Sequence, residues 1–187
     1  MRPRTIVEER PQNVAVMDVF SKLAQNRIVF IGNEIDDEGA NELIAQLLFL
    51  DSLPGNEQIS IYINSPGGSV YAGFAIYDTI QKLKSPVKTI AVGMAASMGA
   101  ILLLSSEDRS ALKHSRIMIH QPMGGAQGQA SDIRITCDEI NKVQVELYEI
   151  ISERTGIPMD EVYKLCDRDK WYTAKEALEA GIIKEIL

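Results

Sequence analysis

Four short apolar runs constrain this chain most, because each ends at a glycine, a proline or a run of small residues, and the first three lead into a helix-period segment. Arg27-Ile-Val-Phe-Ile-Gly32, Gln58-Ile-Ser-Ile-Tyr-Ile-Asn64, Thr89-Ile-Ala-Val-Gly-Met94 and Arg116-Ile-Met-Ile-His120 are rich in β-branched residues and predict buried strands. Between them, Asp36 or Asp37 caps a helix carrying Leu43, Ile44, Leu47 and Leu48 on one face, which Leu53-Pro-Gly55 ends. Val70 to Leu83 and Ala95 to Leu104 predict two more helices. Strands that alternate with helices imply a mostly parallel sheet, an α/β layer structure.

The last third is more helical. Asp132 to Arg154 sets Ile133, Cys137, Ile140, Leu147 and Ile151 on one stripe, which places Cys137 in the core, and Thr155-Gly156 marks the helix end. Pro158 suits the first turn of a short helix, and Thr173-Ala-Lys-Glu176 is a capping box for the final one, ended by Gly181. Residues 1–20 mix prolines with charges and read as a mobile arm, leaving 21–187 as one domain. A length of 187 residues with 45% hydrophobic and 24% charged residues fits one core and excludes a disordered or fibrous chain.

Charge and cysteine content narrow the function. A net charge of -7 with no basic patch argues against nucleic acid as a partner. Cys137 and Cys166 are too few for a disulfide framework and form no Cys-x-x-Cys pair, which suits a reducing, cytoplasmic setting. Ile90 to Leu104 is the longest nearly apolar stretch and is too short to span a bilayer, so no membrane partner is expected. Phosphate-loop, dinucleotide and His-Glu-x-x-His motifs are missing, so neither ATP hydrolysis, nor a metal, nor another cofactor is expected.

Two strand-to-helix junctions can carry chemistry. In Asn64-Ser-Pro-Gly-Gly-Ser69 the glycine N–H groups can face a cleft and hold an oxyanion, although Pro-Gly-Gly alone is also an ordinary turn. Ala95-Ala-Ser-Met-Gly99 resembles a nucleophile elbow with Ala95 in the first glycine position, or else a small-residue helix packed against the sheet. A serine nucleophile needs a base near neutrality, and His120 at a strand's carboxyl end suits this better than His114 in a polar stretch. Asp132, Asp138, Asp167 and Asp169 are all candidates for the carboxylate that orients the imidazole.

Ile63-Asn-Ser-Pro-Gly-Gly-Ser69, Gly93-Met-Ala-Ala-Ser-Met-Gly-Ala100, Met118-Ile-His-Gln-Pro122 and Gly128-Gln-Ala-Ser-Asp132 resemble, in order and spacing, the motifs of the ClpP family, the proteolytic subunits of the ATP-dependent caseinolytic protease. The resemblance runs from about Asp18 to the C-terminus. It implies a catalytic triad of Ser97, His120 and Asp169, the last in Leu165-Cys-Asp-Arg-Asp-Lys-Trp171, where Leu165 and Cys166 replace the family's Asp and Thr. Gly68 and Met98 would supply the oxyanion N–H groups, and Asp167 with Arg168 would make ring–ring contacts.

The same resemblance implies a crotonase-like ββα spiral with a protruding handle of strand plus long helix at about 121–154, the arm forming an axial loop. It also implies two stacked heptameric rings, of this chain alone or mixed with a second ClpP-like subunit, degrading polypeptides delivered by a separate AAA+ unfoldase. The unfoldase would dock on Leu48, Phe49, Tyr62, Ile90, Val92 and Leu112, with Ser60, Lys82 and Ser110 where aromatic residues are usual. An acyl-CoA enzyme of crotonase type and an inactive ring subunit are the competing readings. The Ser97 and His120 pair argues against the first, and the three filled triad positions against the second.

Overall fold

The computed structural model describes residues 5–9 and 14–187. In chain order the elements are β1 (Thr5–Glu9), β2 (Val14–Asp18), α1 (Val19–Ala24), β3 (Ile28–Ile31), α2 (Asp37–Ser52), β4 (Ile59–Ser65), α3 (Val70–Lys82) and β5 (Val87–Ala96). They continue with α4 (Met98–Leu103), β6 (Asp108–Ala111), β7 (Arg116–Ile119), α5 (Ala130–Thr155), α6 (Met159–Leu165), β8 (Lys170–Thr173), α7 (Ala174–Glu179) and β9 (Glu185–Ile186). The expected α/β alternation is present.

A seven-stranded sheet organises the molecule in the order β3-β4-β5-β6-β9, parallel along this path, with β7 also on β5 and β8 antiparallel to β7. Along β4 the pleat points Ile59, Ile61 and Ile63 inward, and all three are fully buried in the cluster that holds Leu43, Leu47 and Leu50 of α2 and Ile76 and Ile80 of α3. Each such side chain contributes about 2 kcal/mol by leaving water.

The long strand β5 shares one edge between two neighbours, β6 along Lys88–Ala91 and β7 along Met94–Ala96. The change falls at Gly93, whose φ of 81° bends the strand, and two side chains take up the freed amides. Ser115 Oγ accepts from Gly93 N at 3.2 Å, and Asn64 Oδ1 accepts from Met94 N at 3.2 Å. This bend lets the end of β5 rise beside β7, where the site lies.

Helix ends follow local chemistry. Asp36, rather than Asp37, caps α2, accepting from Gly39 N at 2.7 Å. The capping box at Thr173 and Glu176 is formed, and Gly156 closes α5 in the left-handed conformation.

Several expectations change. Ala95 and Ala96 extend β5, so the helix after it begins at Met98. Short strands β6, β8 and β9 exist where the sequence showed none, because their partners, not their composition, make them strands. Cys137 is exposed. Only Val143, Leu147, Tyr148 and Ile151 of α5 are buried: in the helix's first half Ile140 is half-buried beside Gly124, while Ile133 and Cys137 of the same stripe stay exposed among the described residues. Gln121 to Gln129 leads into α5 without pairing as a strand among the described residues. In the arm, β1 and β2 pair antiparallel, while residues 1–4 and 10–13 lie outside the described residues. No helix among the described residues is long and apolar enough to cross a membrane.

Candidate active site

Ser97 stands alone between the last residue of β5 and the first of α4, with φ 54° and ψ −122°. Such a conformation costs a non-glycine residue about 1–3 kcal/mol and persists only where its surroundings impose it. Ser97 N donates to Met118 O at 2.8 Å, and its carbonyl accepts from Ala100 N at 2.9 Å. A small residue is needed two positions on: a Cβ on Gly99 would lie 3.1 Å from Ser65 O. The side chain is thereby lifted into the cleft.

His120 follows β7 directly and meets Ser97 across the sheet, Nε2 to Oγ at 2.8 Å. Its other ring nitrogen, Nδ1, lies 3.1 Å from Asp169 Oδ1. The register explains that contact. Ile119 pairs with Lys170, and continuing the antiparallel ladder by one residue sets His120 opposite Asp169. The carboxylate favours the tautomer with the proton on Nδ1, which leaves Nε2 to accept from the Ser97 hydroxyl. The imidazole side chain is only 12% exposed, so it is fixed by its surroundings, whereas Asp169 stands on the rim at 61%.

Opposite Ser97 runs the Pro66-Gly67-Gly68 turn. Gly67 (φ +99°) presses on the elbow so closely that a Cβ there would be 2.7 Å from Ser97 Cβ. Gly68 (φ +150°) is held against Ile35 by two bonds of 2.8 Å, Ile35 N to Gly67 O and Ser69 N to Ile35 O. Ser65 Oγ braces the turn by accepting from Gly67 N and donating to Asn33 O. The N–H groups of Gly68 and Met98 find no acceptor among the described residues, so both are available to an oxyanion. The cleft in front has a volume of about 580 Å³, with apolar walls from Val70, Ile101, Leu147 and Ile151. Glu34, at its edge, was not expected.

The remaining sequence candidates scatter. Asp167 and Arg168 lie outside the cleft, paired with each other at 3.8 Å with side chains 69% and 90% exposed. Asp132 and Asp138 lie on the exposed half of α5, away from His120. Among the residues expected to dock an ATPase, Leu48, Phe49 and Leu112 are exposed and Tyr62 and Val92 half-buried. Ile90 is buried at 4% exposure and can only form a floor beneath them. Tyr62 stacks on Phe30, an exposed aromatic missed in the sequence, at 5.4 Å between centroids. Ser110 is fully buried, and its Oγ has no hydrogen-bond partner among the described residues.

Residues 11–187 match the family model described as Clp protease. The chain is similar to the ATP-dependent Clp protease proteolytic subunit of Bacteroides fragilis, at 59% identity over 184 residues, 97% of this chain and 89% of that one. It is likewise similar to the subunits of that name from Bacteroides thetaiotaomicron (59% identity, 97% and 84% covered) and Porphyromonas gingivalis (58%, 98% and 83%). With the match spanning nearly its whole length and the Ser97, His120 and Asp169 constellation inside it, the chain belongs to the Clp protease family.

Proposed function

We propose that this chain is a serine endopeptidase, the proteolytic subunit of an ATP-dependent Clp protease, which cleaves polypeptides handed to it by a separate ATP-driven unfoldase. The observation that carries this reading is the continuous relay from Asp169 Oδ1 through His120 to Ser97 Oγ, at 3.1 and 2.8 Å, in front of two unpaired N–H groups. Ser97 Oγ attacks the scissile carbonyl carbon while His120 Nε2 takes its proton. The carbonyl oxygen, now an oxyanion, is held by Gly68 and Met98 N–H, and Asp169 stabilises the imidazolium. His120 then gives the proton to the departing amine nitrogen, leaving an ester on Ser97. A water deprotonated by His120 attacks that ester and frees the acid.

The backbone from Pro122 to Gly128, which makes no main-chain hydrogen bond among the described residues, supports addition of the substrate as an extended strand, read mostly through main-chain bonds and hence with broad specificity. The exposed apolar half of α5 supports a face covered by other subunits, in two stacked heptameric rings with Asp167 and Arg168 at their junction. Polar Ser60 and Lys82 on the docking surface, with Ser110 buried beneath it, favour either a mixed particle with a second ClpP-like subunit or an unfoldase loop of lower apolarity. A cytoplasmic location suits the family's substrates. The test is labelling of Ser97 by a fluorophosphonate with fluorogenic peptide hydrolysis on the same fraction. Ser97→Ala should abolish both while leaving assembly intact, a loss on the order of 10⁶-fold in turnover. More than a few per cent activity in the pure variant would sink the serine mechanism.

A further inference from the structure

The ladder between β7 and β8 does not simply end at the triad. Continued by two residues past Ile119 and Lys170 it would set Gln121 opposite Arg168. Instead, Gln121 N donates to Cys166 O at 2.7 Å, and Gln121 Nε2 donates to Asp167 O at 2.7 Å. The segment from Asp167 to Asp169 therefore bulges between two fixed ends. Cys166 is fully buried with its N–H on Val162 O at 2.9 Å, and Lys170 is in the sheet. Between those ends, Gln121 is the one side-chain donor to the backbone among the described residues.

We propose that Gln121 is a positioning residue for Asp169: its paired backbone and side-chain donors close the bulge and set the carboxylate in register with His120 Nδ1. The proposal rests on the triad reading above. Asp169 is the most exposed triad member, so burial does not hold it, and the Asp and Thr that the resemblance would place at Leu165 and Cys166 are missing from the loop. Gln121 lies next to His120 in the chain, so one residue ties the base's strand to the acid's loop.

The experiment compares the assembled wild type with Gln121→Ala and Gln121→Met, each with Asp169 intact and with Asp169→Asn, by peptide hydrolysis and by the rate of Ser97 labelling. Loss of the clamp should lower kcat about five- to a hundredfold, the range between one hydrogen bond and a 1 Å misplacement, with KM within about twofold. In the Asp169→Asn background the same substitutions should cost less than about twofold, because residues that act through one another are not additive. An equal loss in both backgrounds, a change confined to KM, or no loss would overturn the proposal. Where Gln121→Ala fails to assemble, Gln121→Met, similar in volume but without the donor, carries the same comparison. Failure of the triad reading looks different: Asp169→Asn alone would then leave kcat nearly intact, and Gln121 would have no carboxylate to position.

Discussion

Replacing Gly68 by alanine tests the oxyanion geometry more sharply than removing a side chain, because it changes nothing but the path of the backbone. A Cβ there would lie 2.2 Å from Ile35 O and 2.7 Å from Ile35 N, both main-chain atoms that cannot swing away. Relief needs a shift of roughly 1 Å, given ordinary contact distances of about 3.5 Å. That shift strains or breaks the Ile35 N to Gly67 O and Ser69 N to Ile35 O bonds, each 2.8 Å and each contributing about 1 kcal/mol. Holding alanine at φ +150° adds about 1–3 kcal/mol. Two outcomes compete: the turn stays and the fold loses about 3–5 kcal/mol in total, or the turn relaxes and its N–H leaves the oxyanion. The second is cheaper, since the turn lies at the cleft edge, and losing one oxyanion donor lowers kcat about 10²–10³-fold. The assay is kcat on a fluorogenic peptide, with the thermal midpoint measured beside it. Gly32→Ala is the control, having nothing within 4 Å of its Cβ position. A Gly68→Ala enzyme that keeps more than half of wild-type kcat with an unchanged midpoint would refute the reasoning.

Asp169→Asn should favour the wrong imidazole tautomer and cost roughly 10⁴-fold in kcat, whereas Asp167→Asn should cost little, and the reverse order would reassign the acid. Arg168→Ala should yield single rings by analytical ultracentrifugation, so intact double rings would remove Arg168 from the junction. The purified homomer should degrade a folded, tagged substrate poorly with its host ATPase, since each missing aromatic anchor can cost about 1 kcal/mol or more; efficient ATP-dependent degradation would show that Ser60, Lys82 and Ser110 do not matter. Burial pushes the Cys166 thiol and the Tyr148 and Tyr172 hydroxyls up to about 12. Above their ordinary values of about 8.5 and 10 the unfolded chain binds fewer protons than the folded one, so stability should fall with rising pH, by about 1.4 kcal/mol per unit per group, until about pH 12. Urea midpoints that stay level between pH 8 and 11 would contradict this.

Local sequence by itself determined what local physics governs. Apolar runs stopped by glycine and proline produced β3, β4, β5 and β7 close to where they are found, because a buried parallel strand must be apolar along its length. Ser97 and His120 were legible because an elbow needs small neighbours and a base must stand at a strand's end. What only the tertiary structure decided is whatever depends on partners far along the chain. By chemistry alone Asp169 was one acid among four, singled out in the sequence only by the resemblance; the physical reason, the antiparallel register with β7 that sets it opposite His120, 49 residues earlier, is tertiary. The strand β6, Asp108-Arg-Ser-Ala111, carries no strand signal and exists because β5 offers it an edge. Cys137 sits on a continuous apolar stripe, yet a stripe says only which face is apolar; what the rest of the chain sets against it decides what is buried, and Cys137 stays exposed among the described residues.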